Sequence, residues 1–539
     1  MAANDSFGAF LFMKKTFLLI VLMFAAVSSY AAGGRQTEQP DFRNETIYFL
    51  MTDRFADGDP SNNNIYGDEY KPGNLRYYQG GDFKGLIDNL DYIKDMGFTA
   101  IWITPPVKQP EGRYVNSGEN YDATGYHGYW AYDFSVIDPH LESPGATYRD
   151  LINAAHSKGI KVIQDIVLNH GHGGDVSSAK TKWHKEKGVV RGLGKSYDYW
   201  NDDKDKWYNH EPGKALADLL DFNDNNPKVL KWFSKIYRKY QDMGVDAFRI
   251  DTVIWMDKPF WKGFLKEMHK NKKDFFIFGE VWTGDEYEMI SSYTRLGDEK
   301  GEGSGMNSGM SVLDMPLSAM SDNHIMNGVF KGGNYADALK ILQNDNLYRD
   351  PTYLVTFLDN HDKPRFNSPY SPAEEKQYID GLNFYYLSRG IPCVYYGTEI
   401  QMKGGDDPDN RAMLGPDGMK AARSNAVYKH IRKLNAIRHG AGPGYDIIRK
   451  GRQTNIHAEK DILYFRRDYA GRTAYVFLNK GDGSATVNSG LKPGKYADLY
   501  SGNTIEFEKD RPADVIVPAH GAAVLVPQDL MFAKCGNSK

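Results

Sequence analysis

Eight short apolar runs, separated by helix-like stretches between residues 45 and 397, constrain the fold of this 539-residue chain more than any other feature. Each run is rich in β-branched or aromatic residues, as strands buried on both faces of a parallel sheet are. The predicted strands are 47–51, 100–104, 161–167, 247–250, 275–281, 312–315, 354–358 and 393–396. The helical patterns between them include 148–158, 228–242, 261–270 and 376–388. This alternation predicts an α/β fold, a (β/α)8 TIM barrel, in which functional side chains lie at the C-terminal ends of the strands.

Four of the predicted strands end in polar residues. They are the segments Asp165-Ile-Val-Leu-Asn169-His170, Phe248-Arg249-Ile-Asp251, Phe278-Gly-Glu280-Val and Phe357-Leu-Asp-Asn360-His361-Asp362. A carboxylate buried at a strand end is costly unless it is paired, so a repeated arrangement of this kind indicates a use. Three of the four segments supply the carboxylates from which glycosidic-bond chemistry is built, Asp251, Glu280 and Asp362. We therefore predict an enzyme whose active site lies at this rim of the barrel.

Two regions depart from the alternation of strands and helices. Residues 171–220 are rich in Gly, Lys, His, Asp and Trp and exceed the length of an ordinary strand-to-helix loop. We interpret them as a small inserted domain after the third strand, between the barrel segments 42–170 and 221–442. Over residues 443–529 the pattern changes to period-2 runs between Gly and Asp turns, which predicts a C-terminal antiparallel β-sandwich. Its predicted strands include 462–467, 473–479, 514–517 and 522–526.

The overall charge excludes one class of partner. The chain has 66 basic and 70 acidic residues, so it lacks the excess of positive charge that binds nucleic acid. Its 36 Tyr and 9 Trp exceed what a core usually requires. A Tyr-rich surface is one explanation, and aromatic platforms that stack on sugar rings are the other.

The N-terminus has the order of a secretory signal. Lys14 and Lys15 precede the apolar stretch 17–27, which is too short to cross a bilayer and is followed by Ser-Ser-Tyr-Ala-Ala. We predict that residues 1–32 are an upstream extension and a signal peptide, and that the mature protein is secreted or periplasmic and not attached to a membrane. The two cysteines, Cys393 and Cys535, allow a disulfide, but Cys393 lies in an apolar strand and is interpreted as a buried free thiol.

The four segments, in this order at barrel-strand ends, resemble the signature regions of the α-amylase family of glycoside hydrolases. The resemblance implies that Asp251 is the nucleophile, Glu280 the general acid/base and Asp362 a third carboxylate that binds sugar hydroxyls and favours a distorted ring. Cleavage with retention needs the first two about 5–5.5 Å apart, and the acid needs a raised pKa. Arg249, two residues before Asp251 on an extended strand, faces the same way, and its charge is expected to keep Asp251 ionised.

Further residues match sugar-binding positions of the family. The predicted set is His127, Tyr129, Trp130, His170, Arg249, Trp282, His361, Asp407 and Arg411. In this resemblance Tyr129 stacks on the sugar at the cleavage point. Asp407 and Arg411 resemble the pair that holds the next sugars on the non-reducing side, with a solvated acidic turn as the alternative. Trp282, two residues after Glu280, is expected to offer an aromatic platform on the acceptor side.

The sequence also implies two calcium sites. The turn 57–63 and the segment 80–82 bring together oxygen ligands of the kind that Ca²⁺ prefers, and 80–82 resembles the segment that completes this site in cyclodextrin glucanotransferases. The predicted ligands are Asp57, Asp59, Asn62, Asn63, Gly80 and Asp82. An Asx-rich turn without metal is the alternative. The second site would join Asn169 to Asp221 and fix the inserted domain to the barrel.

Within the family, the pattern is most similar to the glucanotransferase and maltogenic-amylase branch, but three features favour hydrolysis over cyclisation. Ile254 and Trp255 stand where that branch often has Lys-His, Ala217 stands where cyclising members have a bulky aromatic residue, and the chain ends after the first sandwich. We therefore predict a monomeric, calcium-dependent, retaining hydrolase of α-1,4-glucans such as starch. The alternatives are a cyclomaltodextrinase, neopullulanase, maltogenic amylase or glucanotransferase, and an inactive barrel that only binds glucan.

Overall fold

The eight predicted parallel strands form one sheet in the computed structural model, which describes residues 41–116, 121–172, 203, 205–209, 216, 219–296 and 309–532. In chain order, strands β1 to β8 are Ile47–Leu50, Ala100–Ile103, Lys161–Ile166, Ala247–Ile250, Phe276–Gly279, Ser311–Val312, Val355–Phe357 and Ile391–Tyr395. They pair in the order β6-β5-β4-β3-β2-β1-β8-β7. A single parallel bridge between Leu313 and Val355 joins the two ends of this sheet, so the strands form a TIM barrel, as predicted.

Strand β6 is shorter than the sequence predicts. The prediction was 312–315, but the strand ends at Val312, and Met315–Leu317 forms a 3-10 turn with Pro316 in it. Proline favours the first turn of a helix, so Pro316 accounts for the turn in place of a longer strand. Asp314, between the strand and the turn, is buried and pairs with Arg389.

Most of the helices follow strands of the barrel, whereas Pro443–Lys450 and Asp529–Phe532 precede and follow the C-terminal strands. Their bounds are Phe83–Asp88, Leu90–Asp95, Tyr148–Ser157, Pro227–Met243, Lys258–Asn271, Tyr287–Tyr293, Ile325–Phe330, Tyr335–Leu342, Glu375–Leu387, Gly415–Ala422, Ala426–Arg438, Pro443–Lys450 and Asp529–Phe532. The helix that starts at Pro227 shows why the predicted bounds agree. Asn226 caps it by accepting from Lys228 N, Pro227 occupies its first turn, and Gly244 follows its last residue at φ 120°. Cap residues and an apolar face can both be recognised in a sequence, so the bounds of such a helix can be predicted.

The connection after β2 contains two short antiparallel strand pairs, one enclosed in sequence by the other, that the sequence pattern did not reveal. Val107–Lys108 pairs with Asp133–Ile137, and Arg113–Asn116 pairs with Tyr121–Thr124. They carry the segment 126–130 to the rim of the barrel. Most of the predicted inserted domain, with Ala217, lies outside the described residues, as do the predicted signal peptide and Cys535.

The C-terminal region is antiparallel. Strands β9 to β16 are Arg452–Glu459, Ile462–Tyr469, Arg472–Asn479, Ala485–Asn488, Gly494–Asp498, Thr504–Phe507, Asp514–Val517 and Gly521–Pro527. Six of them form one sheet in the order β9-β10-β11-β16-β13-β14, and β12 pairs with β15 in a second. Apolar side chains of both sheets, including Phe477, Leu525, Val515 and Val517, form one buried cluster, which gives the predicted sandwich its core. Residues 443–450, which the sequence analysis included in the sandwich, form a helix before it.

One buried arginine joins the sandwich to the barrel. Arg467 on β10 donates from Nη1 to the carbonyl of Leu387 at 2.8 Å and from Nε to that of Gly451 at 2.9 Å. Leu387 is the last residue of a barrel helix, whose terminal carbonyls lack partners within the helix. Cys393 is a buried free cysteine in β8. In the part of the chain that the structure describes, we find no helix with the length and apolarity needed to cross a membrane.

Candidate active site

Arg249 lies at the centre of the predicted site. It is fully buried on β4, and its Nη1 donates to Asp251 Oδ1 at 2.8 Å and to both oxygens of Asp165 at 3.0 Å. Its Nη2 lies 2.9 Å from Oε1 of Glu280. Charges are tolerated in a protein interior only when they are paired, and one guanidinium here serves three carboxylates from β3, β4 and β5. The strand ends therefore bring Asp251 and Glu280 together, as the sequence predicts.

Glu280 has the environment of a proton donor. Its Oε2 accepts the backbone N–H of Thr252 at 3.0 Å, and Thr252 adopts the left-handed region at φ 50° to offer it. The pKa of Glu280 is raised to about 8: burial is the main cause, Arg249 opposes the rise, and the charges of Asp251 and Asp362 contribute to it. Glu280 is therefore protonated at neutral pH, and such a group can donate its proton to a leaving group.

Asp362 follows β7 and faces the same rim. Its Oδ1 lies 3.3 Å from His361 Nε2 and 3.7 Å from Arg411 Nη2, and burial raises the pKa of its carboxyl. Arg411 Nη1 lies 2.9 Å from Asp407 Oδ1, and Arg411 Nε donates to the carbonyl of His361 at 3.0 Å. The predicted outer pair, Asp407 and Arg411, is thus attached to the third carboxylate.

Aromatic and imidazole rings form one wall of the site. Tyr129 stacks on His361 with 5.2 Å between ring centroids, and His127 Nδ1 accepts the N–H of Tyr129 at 3.0 Å. Trp130 packs edge-on against His127 at 4.8 Å. Burial lowers the pKa of His127, His170 and His361 below the ordinary value, so all three rings are neutral, and each can donate one hydrogen bond and accept another.

These side chains surround a cleft of about 850 Å³, which is large enough for several sugar units. The predicted residues that line it are His127, Tyr129, Trp130, His170, Asp251, Glu280, Trp282, Asp362, Asp407 and Arg411. Ile254 and Trp255 line it as well, and the Trp255 side chain is 40% exposed. Arg249 and His361 contact lining residues from within the core.

The sequence analysis gave no role to Asp165, although Asp165 lies in the first of the four segments. In the structure it is fully buried, accepts from Trp102 Nε1 at 3.1 Å and from the Tyr129 hydroxyl at 2.8 Å, and binds Arg249. Burial raises the pKa of its carboxyl to about 7. The available signal was its position on the extended strand before Asn169, where a carboxylate among apolar neighbours requires a buried partner.

The first predicted calcium site contains side-chain oxygens that could coordinate a cation. Asp57 Oδ1, Asn62 Oδ1 and Asn63 Oδ1 are buried and have no hydrogen-bond partner among the residues that the structure describes. Gly80, at φ 91°, lies so close that a Cβ there would come 2.8 Å from both Asn63 Oδ1 and Asp57 Oδ2. Buried, unsatisfied oxygens of this kind are what a calcium ion coordinates, so these residues fit the ion.

The other two carboxylates of this region hold the loop together. Asp59 Oδ1 accepts the N–H of Ser61 at 3.1 Å. Asp82 caps the helix that begins at Phe83 by accepting from Gly85 N at 2.6 Å, and it also accepts from Gly58 N and Asp59 N. Both side chains are therefore already used by backbone donors.

The second predicted site brings three oxygen-bearing groups together. With its amide nitrogen turned inward, Asn169 donates to the Trp255 carbonyl at 3.2 Å and to Asp221 Oδ1 at 3.0 Å. With its amide oxygen turned inward, three oxygens face one another, an arrangement that a cation stabilises. Amide, carboxylate and carbonyl oxygens are ligands that Ca²⁺ prefers. The Trp255 carbonyl was not among the ligands predicted from the sequence. Within the described ranges, no three His, Cys, Asp or Glu side chains converge in a metal-binding group.

A closed parallel barrel with acidic groups around one buried arginine at its rim is the architecture of an enzyme. The chain matches the family "Alpha amylase, catalytic domain" over residues 49–477. A cyclomaltodextrin glucanotransferase of Niallia circulans is 32% identical over 491 residues, which are 86% of this chain and 64% of that protein. An alpha-amylase of Niallia circulans is 31% identical over 517 residues, 90% of this chain and 92% of that one.

The structural comparison agrees with the sequence matches. The crystal structure of CldA, described as a cyclomaltodextrin glucanotransferase with a three-domain ABC distribution, has a TM-score of 0.75 at 29% identity. The alignment covers 89% of this chain and 98% of CldA. This chain belongs to the α-amylase family of glycoside hydrolases and transferases, and it is an enzyme of that family.

Proposed function

We propose that this protein is a retaining glycosidase that hydrolyses α-1,4-glucosidic bonds in starch and related glucans. The observation that carries the proposal is the shared contact of Asp251 and Glu280 with one guanidinium, that of Arg249. Two carboxyl groups on neighbouring nitrogens of one guanidinium are compatible with the separation of about 5–5.5 Å that retention needs. Their different environments give them different roles.

The reaction then has two steps. Asp251 attacks the anomeric carbon while Glu280 gives its proton to the departing glycosidic oxygen, which leaves a glycosyl ester on Asp251. Glu280, now ionised, takes a proton from water as the water oxygen bonds to the anomeric carbon and the ester bond breaks. Asp362 and His361 would hold hydroxyls of the same sugar, and Tyr129 would stack on its ring.

Hydrolysis is supported by the residues after Asp251. Ile254 and Trp255 line the cleft, so no charged or imidazole side chain stands there to bind an acceptor sugar. The other two sequence features support hydrolysis less strongly. Ala217 lies outside the described residues, and CldA is described as a glucanotransferase with only three domains, so a short chain does not argue against cyclisation.

Glucanotransfer is therefore the second candidate. This chain spans 64% of the length of the Niallia circulans glucanotransferase that it matches. The activity of that longer protein is therefore not assigned to this chain. Trp282 lines the cleft beside Glu280 and could bind an acceptor sugar. A glucan-binding protein without activity is disfavoured because Asp251, Glu280 and Asp362 are all present at the cleft.

We also propose calcium at both fitted sites, with Asp57, Asn62, Asn63 and Gly80 at one and Asn169, Asp221 and Trp255 at the other. Bound there, Ca²⁺ would stabilise the loops that carry these residues and add no step to the chemistry. The signal-like sequence of residues 1–32 supports export to the periplasm or the medium, and we propose a monomer.

The decisive experiment is a time course of products from starch, β-cyclodextrin and pullulan, resolved by chain length, with the full chain and its Asp251→Asn variant. Linear maltooligosaccharides released in the α configuration are expected from the parent protein and none from the variant. Cyclic products from starch would replace hydrolysis by transfer as the main activity. Products released in the β configuration would contradict the retaining mechanism itself.

A further inference from the structure

Three side chains from three loops meet beside the cleft without touching Arg249. Trp282 lies two residues after Glu280, Lys363 directly follows Asp362, and Asp322 lies in the connection between β6 and β7. Asp322 Oδ2 accepts from Trp282 Nε1 at 3.3 Å, and its Oδ1 lies 2.8 Å from Lys363 Nζ. We refer to these three residues as the Trp282 clamp. The sequence analysis selected Trp282 alone.

The clamp fixes the orientation of the indole ring. The Lys363 ammonium lies over the ring, 4.6 Å from its centroid, in the geometry of a cation–π contact. Asp322 therefore holds both the edge of the ring, through Nε1, and the cation on its face. Lys363 covers one face of the indole, so a stacked sugar would use the part of the ring that lines the cleft.

The position of Trp282 identifies which sugar that would be. In the proposed function, Glu280 protonates the oxygen of the departing chain, so the departing chain lies on the Glu280 side of the cleft. Trp282 continues the chain from Glu280 and lines the cleft, as Asp322 does. Asp407 and Arg411 are attached to Asp362 instead. The indole thus lies on the side from which one glucan leaves and the next acceptor arrives.

We infer that Asp322 is a positioning residue that holds Trp282 for an acceptor sugar and so sets the share of turnovers that end in transfer rather than hydrolysis. The inference rests on the proposed retaining mechanism. In transfer, an acceptor hydroxyl takes the place of water: its oxygen bonds to the anomeric carbon, the ester bond to Asp251 breaks, and the proton passes to Glu280.

The test uses the full chain with a maltooligosaccharide donor at fixed concentration and maltose added as acceptor. Transfer products are counted against newly formed reducing ends. For Asp322→Ala, the maltose concentration that gives half-maximal transfer should rise about three- to tenfold, because exposed ion pairs and cation–π contacts each contribute modestly. Asp322→Asn keeps an acceptor for the indole N–H and loses the ion pair, so its value should fall between those of the parent and Asp322→Ala.

Two further variants make the outcome specific. Asp337 forms an exposed pair with Lys340 at 2.7 Å and does not line the cleft, so Asp337→Ala is the matched control and should behave as the parent protein does. In a Trp282→Ala background, Asp322→Ala should have no additional effect on transfer. An equal effect with and without Trp282 would overturn the inference, as would equal losses of hydrolysis and transfer, or a parent protein that hydrolyses glucan but never transfers to maltose. A parent protein without glucan turnover would instead overturn the proposed function.

Discussion

The hydroxyl of Tyr129 donates to Oδ2 of Asp165 at 2.8 Å, so a ring that lines the cleft is fixed by a carboxylate buried beneath it. The same carboxylate binds Arg249, which holds Asp251. Tyr129 and Asp251, the proposed sugar platform and nucleophile, are therefore both positioned by Asp165, which does not line the cleft. The orientation of both side chains is therefore expected to depend on Asp165.

Removing the Tyr129 hydroxyl tests this connection. Tyr129→Phe keeps the ring and loses one buried hydrogen bond, which should lower the free energy of unfolding by about 0.5–1.5 kcal/mol. The pKa of Asp165 should rise, because the Tyr129 hydroxyl favours its ionised form. Denaturant titration and a pH–rate profile measure the two effects. Tyr370→Phe, at an exposed ring bound to Asp406, is the control and should be neutral. A neutral Tyr129→Phe would disprove the connection.

Arg249 is expected to be the most sensitive residue of the site. Arg249→Met leaves the buried carboxylates without their cation and should cost about 3–5 kcal/mol of stability, measured by urea unfolding. Arg249→Lys supplies only a point charge and should keep part of the stability but little activity. The control is Arg423→Met, which breaks an exposed pair with Asp95 and should cost about 0–1 kcal/mol. Similar costs at both arginines would contradict the central role of Arg249.

Activity should decline on the alkaline side as Glu280 loses its proton. Since its pKa is raised to about 8, kcat/KM of the free enzyme should fall above about pH 8. Glu280→Gln should lower turnover by about 10²- to 10⁴-fold while the circular dichroism spectrum is unchanged. A variant of near-normal rate, or an alkaline limb that persists unchanged in the residual activity of Glu280→Gln, would remove Glu280 from the role of acid.

The same pKa predicts a slope in stability. Unfolded Glu280 ionises near pH 4.5, whereas the folded group holds its proton to about pH 8, so the folded state binds more protons between these values. The contribution of Glu280 to the free energy of unfolding is therefore complete below about pH 4.5 and is lost as pH rises to about 8. Relative to Glu280→Gln, the parent protein should become less stable across this range. Parallel stability curves for the two proteins would refute the assignment.

Calcium should stabilise the loop 57–63. Chelation is expected to lower the melting temperature, because an ion at 100 times its Kd adds about 2.7 kcal/mol. Gly80→Ala places a methyl group against Asn63 and Asp57, so this variant should melt lower and respond less to chelator. Gly112→Ala is the control, since Gly112 also has a positive φ but has open space around its Cβ position. Equal responses to chelator in all three proteins would exclude calcium at Gly80.

The sequence predicted the parts of the molecule that local pattern controls. The barrel strands are continuous apolar runs, and helix starts such as Asn226-Pro227 carry their own caps. Strand β9 was missed because its sequence, Arg-Gln-Thr-Asn-Ile-His-Ala-Glu, is largely polar and exposed at a sheet edge. Its pairing with β10 supplies the order that its side chains do not.

The candidate site likewise contains residues that the sequence predicts and residues that it does not. Asp251, Glu280 and Asp362 follow strands whose ends must meet in a barrel, so their proximity is a consequence of the fold. Asp322 and Lys363 meet only because two loops of unrelated sequence approach each other around Trp282. No spacing along the chain encodes that approach, and it became visible only in three dimensions.

The bridge between Leu313 and Val355 closes the barrel. Strand β6 has two residues, and among the described residues this one bridge pairs its end with β7. Asp251 and Glu280 follow β4 and β5, which pair directly with each other. Asp362 follows β7, which is joined to β6 through this bridge. Loss of this bridge would let Asp362 move relative to Glu280, whereas Asp251 would keep its hydrogen bond to Arg249. A substitution that weakens this bridge should therefore disturb the proposed contact of Asp362 with the sugar more than the shared contact of Asp251 and Glu280 with Arg249.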